Sequence, residues 1–172
     1  MILSNVDVEN LLRRGVIKIT PKPEQEQIGP GSVDLTLSNE FWRFKGKAKG
    51  KEFDLDEINL EEITEKIVTD RIVLEPGELI LGKTVERITL PDNICGHLEG
   101  RSRYARRGLV IHATSSFIQP GSDNRQLLEI VNLAPYKIVL RAGIRCTQVI
   151  FDEMKTPTNK PYRKVGIVAR TQ

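Results

Sequence analysis

Short apolar segments separated by turn sequences fill most of the chain after residue 71, and they constrain its fold more than any other feature. The segments span residues 72–74, 78–83, 85–90, 94–99, 109–113, 127–133, 138–140 and 147–153. Turn pairs such as Pro76-Gly77 and Pro120-Gly121 separate several of them. Short strands at a spacing of about 8–12 residues indicate a sandwich, barrel or jelly roll, and they argue against a parallel α/β sheet. The sequence therefore predicts a mainly β fold.

The first third of the chain adds a short helix and a further strand. Ser4 and Asp7 form a pattern typical of a helix N-terminus, and Gly15 is placed to end that helix. Residues 33–38 alternate apolar and polar side chains, which predicts a half-buried strand. The lysines and acids of residues 45–66 predict an exposed loop with one or two surface helical turns near residues 60–67.

Size and charge narrow the class of protein further. The chain has 172 residues, which suits one domain over residues 1–172 with a C-terminal tail or lid from about residue 157. A net charge of +3 argues against a nucleic-acid polymer as the main partner. The apolar runs fall short of the roughly 20 residues that span a membrane, and residues 1–5 lack signal-peptide features. Only Cys95 and Cys146 are present, so we predict no disulfide framework and a cytoplasmic location.

An arginine-rich turn occupies residues 100–108, where four arginines stand between two glycines. Ser102 is predicted to cap a single helical turn that ends at Gly108, with Ser102 and Arg106 on one face. Backbone N–H groups and guanidinium groups both suit phosphate oxygens. The segment is therefore either an anion site or an exposed basic turn that pairs with surface acids.

Glu129 is a candidate general base, because it lies in the middle of an apolar segment. Burying a carboxylate is costly unless it is paired, and such carboxylates often act in proton transfer. An arginine of the 101–107 cluster is its expected partner, and a purely structural ion pair explains the pattern equally well. The hydroxyl-rich loop 112–121 suits a polar ligand or the pairing of turn backbone groups. Within it, His112 is more typical of a satisfied core or supporting side chain than of a catalyst.

Sequence patterns for metal and cofactor chemistry are incomplete. His97-Leu98-Glu99 matches the H-x-E of the zinc deaminases, but the C-x-x-C that supplies their other zinc ligands does not occur in the chain. Cys95 and His97 have no second pair at zinc-finger spacing. Residues 77–84 match the P-loop pattern G-x-x-x-x-G-K-T as a string, but they fall in predicted strand segments and not in a loop between a strand and a helix. The dinucleotide-binding and hydrolase-elbow motifs are missing. We therefore predict no zinc and no metal held by protein side chains.

Several spaced motifs occur together in one order. They are G-R-S-x-x-A-R-x-G-L at residues 100–109, H-x-T at 112–114, I-x-P-G at 118–121, L-E at 128–129 and Q-x-I-F at 148–151. The N-terminal part adds G-S-V-D-L-x-L at residues 31–37. Over about residues 1–155, this set resembles the dCTP deaminase family, which belongs to the superfamily of trimeric dUTPases.

The resemblance implies a fold, an assembly and a reaction. The fold is a distorted β-barrel or jelly roll, the dUTPase-like β-clip, and the assembly is a homotrimer with active sites between subunits. The reaction is hydrolytic deamination of dCTP to dUTP and ammonia, with Mg²⁺ bound to the substrate triphosphate and without zinc. Glu129 matches the family's general base, and Ser102 and Arg106 match residues that position the water and stabilise charge.

The resemblance also assigns positions that contact the nucleotide. Arg101 and the backbone after it match triphosphate contacts, and the backbone at Leu127 and Leu128 would read the pyrimidine edge. The other positions assigned to substrate binding are Arg103, Tyr104, Ala105, Ala113, Thr114, Gln119, Gln148 and Tyr162.

Some of these positions depart from the family pattern. Arg103 replaces a usual serine, and Gln119 replaces an aspartate that serves hydrolysis in dUTPases. The segment after Tyr162 lacks the usual glutamine. An amide cannot act as a base, so Gln119 favours deamination over phosphate hydrolysis. Two alternatives remain: a dUTPase or bifunctional enzyme that forms dUMP, and a catalytically weak nucleotide-binding or regulatory protein.

Overall fold

The computed structural model describes residues 1–166, and strands dominate its regular structure. Its strands are β1 Lys18–Thr20, β2 Ile28–Gly29, β3 Ser32–Phe44, β4 Thr64–Val68, β5 Arg71–Leu74, β6 Leu79–Thr89, β7 Ile94–Gly100, β8 Leu109–Ile111, β9 Phe117–Ile118, β10 Asp123–Asn132, β11 Ile138–Arg141 and β12 Arg145–Glu153. Its helices are α1 Asn5–Arg13, α2 Leu60–Ile63, α3 Ser102–Ala105 and α4 Tyr162–Val165, and single 3-10 turns occupy Gln25–Gln27 and Gly46–Ala48. The prediction of a mainly β fold with a few short helices is confirmed.

Most strands belong to one curled, antiparallel sheet with the order β8-β10-β6-β3-β12-β7-β9. Three short strands attach to this path, β1 to β6, and β2 and β4 to β3. Strands β5 and β11 form a separate two-stranded sheet. Because β6 and β3 lie between β10 and β12, the sheet separates Glu129 on β10 from Gln148 on β12.

The core has two apolar clusters, and β3 runs through both of them. Val33 and Leu35 are fully buried in the first cluster, where α1 also packs. Leu37 and Phe41 are fully buried in the second cluster, beside β6, β8 and β10. Side chains alternate across a strand, so the polar residues between Val33 and Leu35 project from the opposite face of β3.

The predicted N-terminal helix is confirmed in detail. The Ser4 hydroxyl oxygen accepts a hydrogen bond from the Asp7 backbone N–H at 3.4 Å, and the Asp7 carboxylate accepts one from the Ser4 backbone N–H at 3.0 Å. This reciprocal arrangement satisfies two backbone donors at the start of α1. Over residues 1–166, no helix has both the length and the apolar character needed to cross a membrane.

Two regions differ from the sequence prediction. Residues 78–90 form one strand rather than two, since β6 continues through Thr84 and Glu86 with a register irregularity against β10. Both polar side chains are buried and hydrogen-bonded, because Thr84 donates to the Glu86 carbonyl and Glu86 accepts from the Thr36 backbone N–H. The second region is residues 64–68, where β4 replaces the expected helix and pairs with β3.

The arginine turn after β7 folds as a single helical turn, with one difference from the prediction. The N-cap of α3 is Arg101 rather than Ser102, and no side chain caps the helix. Arg101 has extended backbone angles as it leaves β7, so Ser102 becomes the first helical residue. Gly108 then ends the turn in the left-handed region, with φ +83°.

A Gly108→Ala substitution is expected to lower the free energy of unfolding by about 3 kcal/mol, from left-handed strain and overpacking together. A Cβ at Gly108 would stand 2.7 Å from the Ala134 Cβ and 2.8 Å from the Ala134 backbone N. Gly15→Ala is the matched control, because Gly15 has φ +69° but no atom within 4 Å of an added Cβ. Denaturant unfolding should show a loss of only about 1 kcal/mol for the control. Equal losses in both variants would contradict the role assigned to the Ala134 contact.

Candidate active site

A mostly polar cleft of about 270 Å³ opens beside β10, and we call it the glutamate cleft. Four of the predicted site residues line it: Gln119, Leu127, Glu129 and Tyr162. The other lining residues are His112, Ser115, Phe117, Ile118, Ser122, Asn124 and Gln126. The H-x-T loop, the P-G turn, β10 and the C-terminal helix α4 therefore meet at one place.

Glu129 is half-buried at the wall of this cleft and is held by the H-x-T loop. Its Oε2 accepts hydrogen bonds from the Thr114 backbone N–H at 3.0 Å and from the Thr114 hydroxyl at 3.3 Å. Its backbone carbonyl accepts from the His112 N–H at 2.9 Å. Oε1 accepts no hydrogen bond from any residue between 1 and 166. Within residues 1–166, the carboxylate is thus fixed through one oxygen and leaves the other without a hydrogen bond.

His112 has an unusual backbone and an unsatisfied ring. Its φ of +57° is uncommon for a residue other than glycine. Both ring nitrogens are buried, and neither has a hydrogen-bond partner in the described part of the chain. Burial lowers the pKa of the imidazole, and the nearby Glu129 charge opposes that shift. Among residues 1–166 nothing satisfies the ring that His112 places at the wall of the cleft, and its expected role as a supporting side chain stays a prediction.

The backbone at Leu127 and Leu128 borders a break in strand pairing. On one side β10 pairs with β6, with Leu127 opposite Lys83 and Leu128 opposite Gly82. On the other side β8 pairs with β10 only from Ile130 onward. The Leu128 side chain is fully buried in the core, so only its backbone can face a ligand.

The C-terminal helix is held against the turn at Pro120-Gly121. The Tyr162 backbone N–H donates to the Pro120 carbonyl at 3.0 Å, and the Arg163 guanidinium pairs with Asp92 at 2.6 Å. These contacts place Tyr162 at the rim of the glutamate cleft. The remainder of the predicted tail, residues 167–172, lies outside the described residues.

A second cleft of about 340 Å³ lies at the start of α3, and we call it the arginine cleft. Its lining residues are Glu26, Gly29, Pro30, Ser32, Asp34, Arg101, Ser102, Arg103 and Gln148. Arg101 forms an ion pair with Asp34 at 2.9 Å, and the Ser32 hydroxyl donates to Gln148 Oε1 at 2.9 Å. No residue lines both clefts.

The predicted residues of the arginine turn do not line the glutamate cleft. Ser102, Ala105 and Arg106 are exposed, and the Arg106 side chain has no hydrogen bond or ion pair to any described residue. Arg103 stacks 5.2 Å above the Tyr104 ring, which packs against the core. Ala113 is exposed and does not line the glutamate cleft. The expected pairing of Glu129 with an arginine of this cluster therefore does not occur within one chain.

The polar cleft residues absent from the predicted site include Asp34, Asn124 and Gln126. Asp34 belongs to the matched G-S-V-D-L segment, but only the pairing of β3 with β12 brings it to Arg101 and Gln148. Gln126 donates to Asn124 Oδ1 at 2.9 Å, and both are buried on the cleft side of β10. The described residues contain no group of His, Cys, Asp or Glu that could hold a metal ion.

Comparisons with known proteins show which proteins this chain resembles. A family model described as dCTP deaminase-like matches residues 2–154. A dCTP deaminase from Rhodospirillum rubrum is 35% identical, over 94% of this chain and 87% of its own length. A dUMP-forming dCTP deaminase from Methanosphaera stadtmanae is 37% identical, over 94% of this chain and 83% of its own length.

One solved structure supports the fold. The crystal structure of a 2′-deoxycytidine 5′-triphosphate deaminase from Agrobacterium tumefaciens superposes with a TM-score of 0.67 at 21% identity. The match covers 87% of this chain and 47% of that protein, so this chain spans about half of its length. The family model and the two relatives, for their part, mean that the chain belongs to the dCTP deaminase-like family.

Proposed function

We propose that this protein deaminates dCTP by hydrolysis, giving dUTP and ammonia, as an enzyme of pyrimidine deoxynucleotide metabolism. The observation that carries the proposal is Glu129, which lines the cleft and is fixed by Thr114 through Oε2, while Oε1 has no hydrogen-bond partner among residues 1–166. A carboxylate held in this way is suited to take a proton from water. The names of the curated relatives supply the substrate.

The proposed reaction adds water across the C4–N3 double bond of cytosine. Glu129 takes one proton from the water, whose oxygen bonds to C4, and passes that proton to N3. It then takes the proton of the new hydroxyl and delivers it to the amino group. The C–N bond breaks, ammonia leaves, and C4 becomes the carbonyl of uracil. Glu129 returns to its starting state, as a general acid–base catalyst must.

We also propose that the site is completed between subunits of a homotrimer. Ser102 and Arg106 are exposed and lie away from the glutamate cleft of their own chain. In a closed ring of three identical subunits, the arginine turn of one subunit meets the same surface of the next at every interface. Arg106 would then stabilise charge beside Glu129, and Ser102 would hold the attacking water.

The two clefts divide the nucleotide between them in this proposal. Arg101, Arg103 and Gln148 bind the triphosphate, together with the backbone of Tyr104 and Ala105, and Mg²⁺ enters with the triphosphate as part of the substrate. The backbone of Leu127 and Leu128 contacts the pyrimidine, and Ala113, Thr114, Gln119 and Tyr162 surround the nucleoside. The absence of zinc, the single domain over residues 1–172 and the cytoplasmic location also stay predictions.

A bifunctional enzyme that forms dUMP is the second candidate, because the relative named as dUMP-forming is about as similar as the relative named simply dCTP deaminase. Phosphate hydrolysis needs a base near the α-phosphate, and the Gln119 amide in the cleft cannot serve. This residue favours deamination alone. A catalytically weak binding protein is the third candidate, and the intact Glu129, Ser102 and Arg106 argue against it.

Product analysis separates these candidates. The full-length protein is incubated with Mg²⁺ and either dCTP or dUTP, and the nucleotides and ammonia are quantified by chromatography and a coupled assay. We expect one dUTP and one ammonia per dCTP consumed, and no reaction with dUTP. Accumulation of dUMP and pyrophosphate would favour the bifunctional enzyme. Binding without turnover would contradict the proposed activity and support a regulatory role.

A further inference from the structure

We propose that Asp34 is a positioning residue that holds the Arg101 guanidinium so that its free edge faces the arginine cleft and binds substrate phosphate. The identity of the ligand rests on the proposed function. The role of Asp34 itself rests on three features of the structure: the donors of Arg101, the setting of Asp34 on β3, and a second ordered donor beside them.

The hydrogen bonds of Arg101 leave one edge of its guanidinium free. Nη1 donates a hydrogen bond to the Arg145 carbonyl at 2.9 Å and forms an ion pair with Asp34 Oδ2 at 2.9 Å. Nε and Nη2 have no acceptor among residues 1–166. These two nitrogens form the planar fork that binds two phosphate oxygens at once. The contacts that fix Arg101 therefore leave its phosphate-binding edge available in the cleft.

Asp34 is placed by its strand to make this contact. It alternates on β3 with Val33 and Leu35, which are fully buried, so its side chain lies on the cleft side of the strand. Only 14% of the side chain is exposed. Burial raises the pKa of the carboxyl group, and Arg101 is the main charge that opposes this shift, followed by Arg145. A carboxylate in this setting needs its cation, and in return it restricts that cation to one orientation.

The backbone of Asp34 is held from behind as well. Its carbonyl accepts a hydrogen bond from the buried Gln27 side chain at 2.9 Å. The same amide nitrogen of Gln27 donates to the buried Glu86 at 3.1 Å. Asp34 is therefore attached to the interior of the sheet, and a residue fixed in this way can hold a long arginine side chain in place.

Ser32, on the same face of β3 as Asp34, holds the neutral side chain of Gln148 much as Asp34 holds Arg101. Ser32 donates to Gln148 Oε1, which leaves the amide N–H groups of Gln148 free to donate. Gln148 stands directly opposite Asp34 in the β3–β12 ladder. One strand face thus directs donors from two other elements, Arg101 and Gln148, toward the same cleft.

The alternative is that Asp34 weakens phosphate binding, because it places a negative charge in the cleft and neutralises Arg101. The two readings predict opposite effects of Asp34→Asn, a nearly isosteric change that removes the charge. If Asp34 positions Arg101, its loss lets the guanidinium leave the productive orientation, and phosphate affinity falls. If Asp34 competes with phosphate, its loss raises the affinity.

Isothermal titration with inorganic tripolyphosphate is the primary test, because it requires no turnover. We expect Asp34→Asn to raise Kd about tenfold, the size typical of one charge-assisted hydrogen bond. With dCTP the variant should show a KM raised by a similar factor and a kcat within about twofold of the original, which is the pattern of lost ground-state binding. Inhibition by deoxycytidine, which has no phosphate, should not change.

Three further variants exclude a merely structural effect. Glu24→Gln is the matched control, because it removes the exposed Glu24–Arg145 pair next to the same cleft and should change Kd less than about twofold. Asp34→Glu keeps the charge and should recover most of the affinity that Asp34→Asn loses. In an Arg101→Ala background, Asp34→Asn should have almost no additional effect, because the two residues act as one unit. Each variant is measured below its thermal unfolding transition.

An unchanged or lowered Kd in Asp34→Asn would overturn the inference, as would equal losses in Asp34→Asn and Asp34→Glu or additive losses with Arg101→Ala. These outcomes leave the proposed activity standing if the original protein deaminates dCTP. Conversely, a protein that binds tripolyphosphate through Asp34 and Arg101 but never deaminates dCTP would contradict the proposed function alone.

Discussion

A Glu129→Gln variant is expected to deaminate dCTP about a thousandfold more slowly than the original protein, a loss within the range for removing a general base. The substitution keeps the size of the side chain, and its amide oxygen can still accept the hydrogen bond from the Thr114 backbone N–H. What it removes is the capacity to take a proton from water and return it to the leaving amine. The loss should therefore appear in kcat, measured by ammonia release at saturating dCTP.

Substrate binding supplies the control for this prediction. The Kd for dCTP, measured by titration calorimetry, should stay within about threefold of the original value, because the proposed phosphate contacts belong to other elements. Glu75→Gln serves as a matched carboxylate variant, since Glu75 pairs with Lys137 at the surface and lines neither cleft. It should retain full activity. A Glu129→Gln variant that keeps a tenth or more of the original kcat would rule out Glu129 as the base.

Much of the fold follows from local patterns in the sequence. The alternation of residues 33–38 and the Ser4–Asp7 capping pair describe β3 and α1 without reference to the rest of the chain. The errors occur where a distant partner overrides the local pattern. Glu86 looks like a break inside an apolar strand, and it is tolerated only because Gln27 and the Thr36 backbone donate to it. Residues 64–68 form a strand because they pair in antiparallel fashion with the distant strand β3.

Some contacts of the candidate site could likewise be predicted from the sequence, and others depend on how distant strands pair. Glu129 and Thr114 are close in space because β8 and β10 are neighbours, and the motifs predicted both residues as members of one site. The ion pair between Asp34 and Arg101 depends on how β3, β12 and β7 pair, which the sequence does not display. The separation of Arg106 from Glu129 within one chain also could not be predicted from motif spacing, because the proposed partner of Arg106 belongs to another subunit.

Two inactive variants are expected to regain activity when they share a trimer. Arg106→Ala should reduce kcat/KM about a hundredfold or more by removing a charge that stabilises the transition state. It should leave thermal stability unchanged, because Arg106 is exposed and its side chain makes no hydrogen bond or ion pair within the described chain. Arg107→Ala is its control, since Arg107 is a neighbouring exposed arginine that lines neither cleft. Arg106→Ala and Glu129→Gln then damage opposite halves of each proposed site.

The recovery of activity in mixed trimers follows from the symmetry of a three-subunit ring. A mixed trimer always contains one interface where an intact Glu129 from the Arg106→Ala subunit faces an intact Arg106 from the Glu129→Gln subunit. The other interfaces each carry at least one damaged half. Mixed trimers should therefore show about one third of the original activity, although each parent is nearly inactive. Mixing Arg106→Ala with Ser102→Ala should give no regain, because both changes affect the same half.

The most direct test of a site shared between subunits is thus the deaminase activity of purified mixed trimers. The two variants are co-expressed with different affinity tags, isolated through both tags in turn, and assayed for dUTP and ammonia formed from dCTP. We predict about one third of the original activity per trimer for the Arg106→Ala and Glu129→Gln pair. Activity no higher than that of the parent variants, in trimers shown by light scattering to contain both chains, would contradict the shared site.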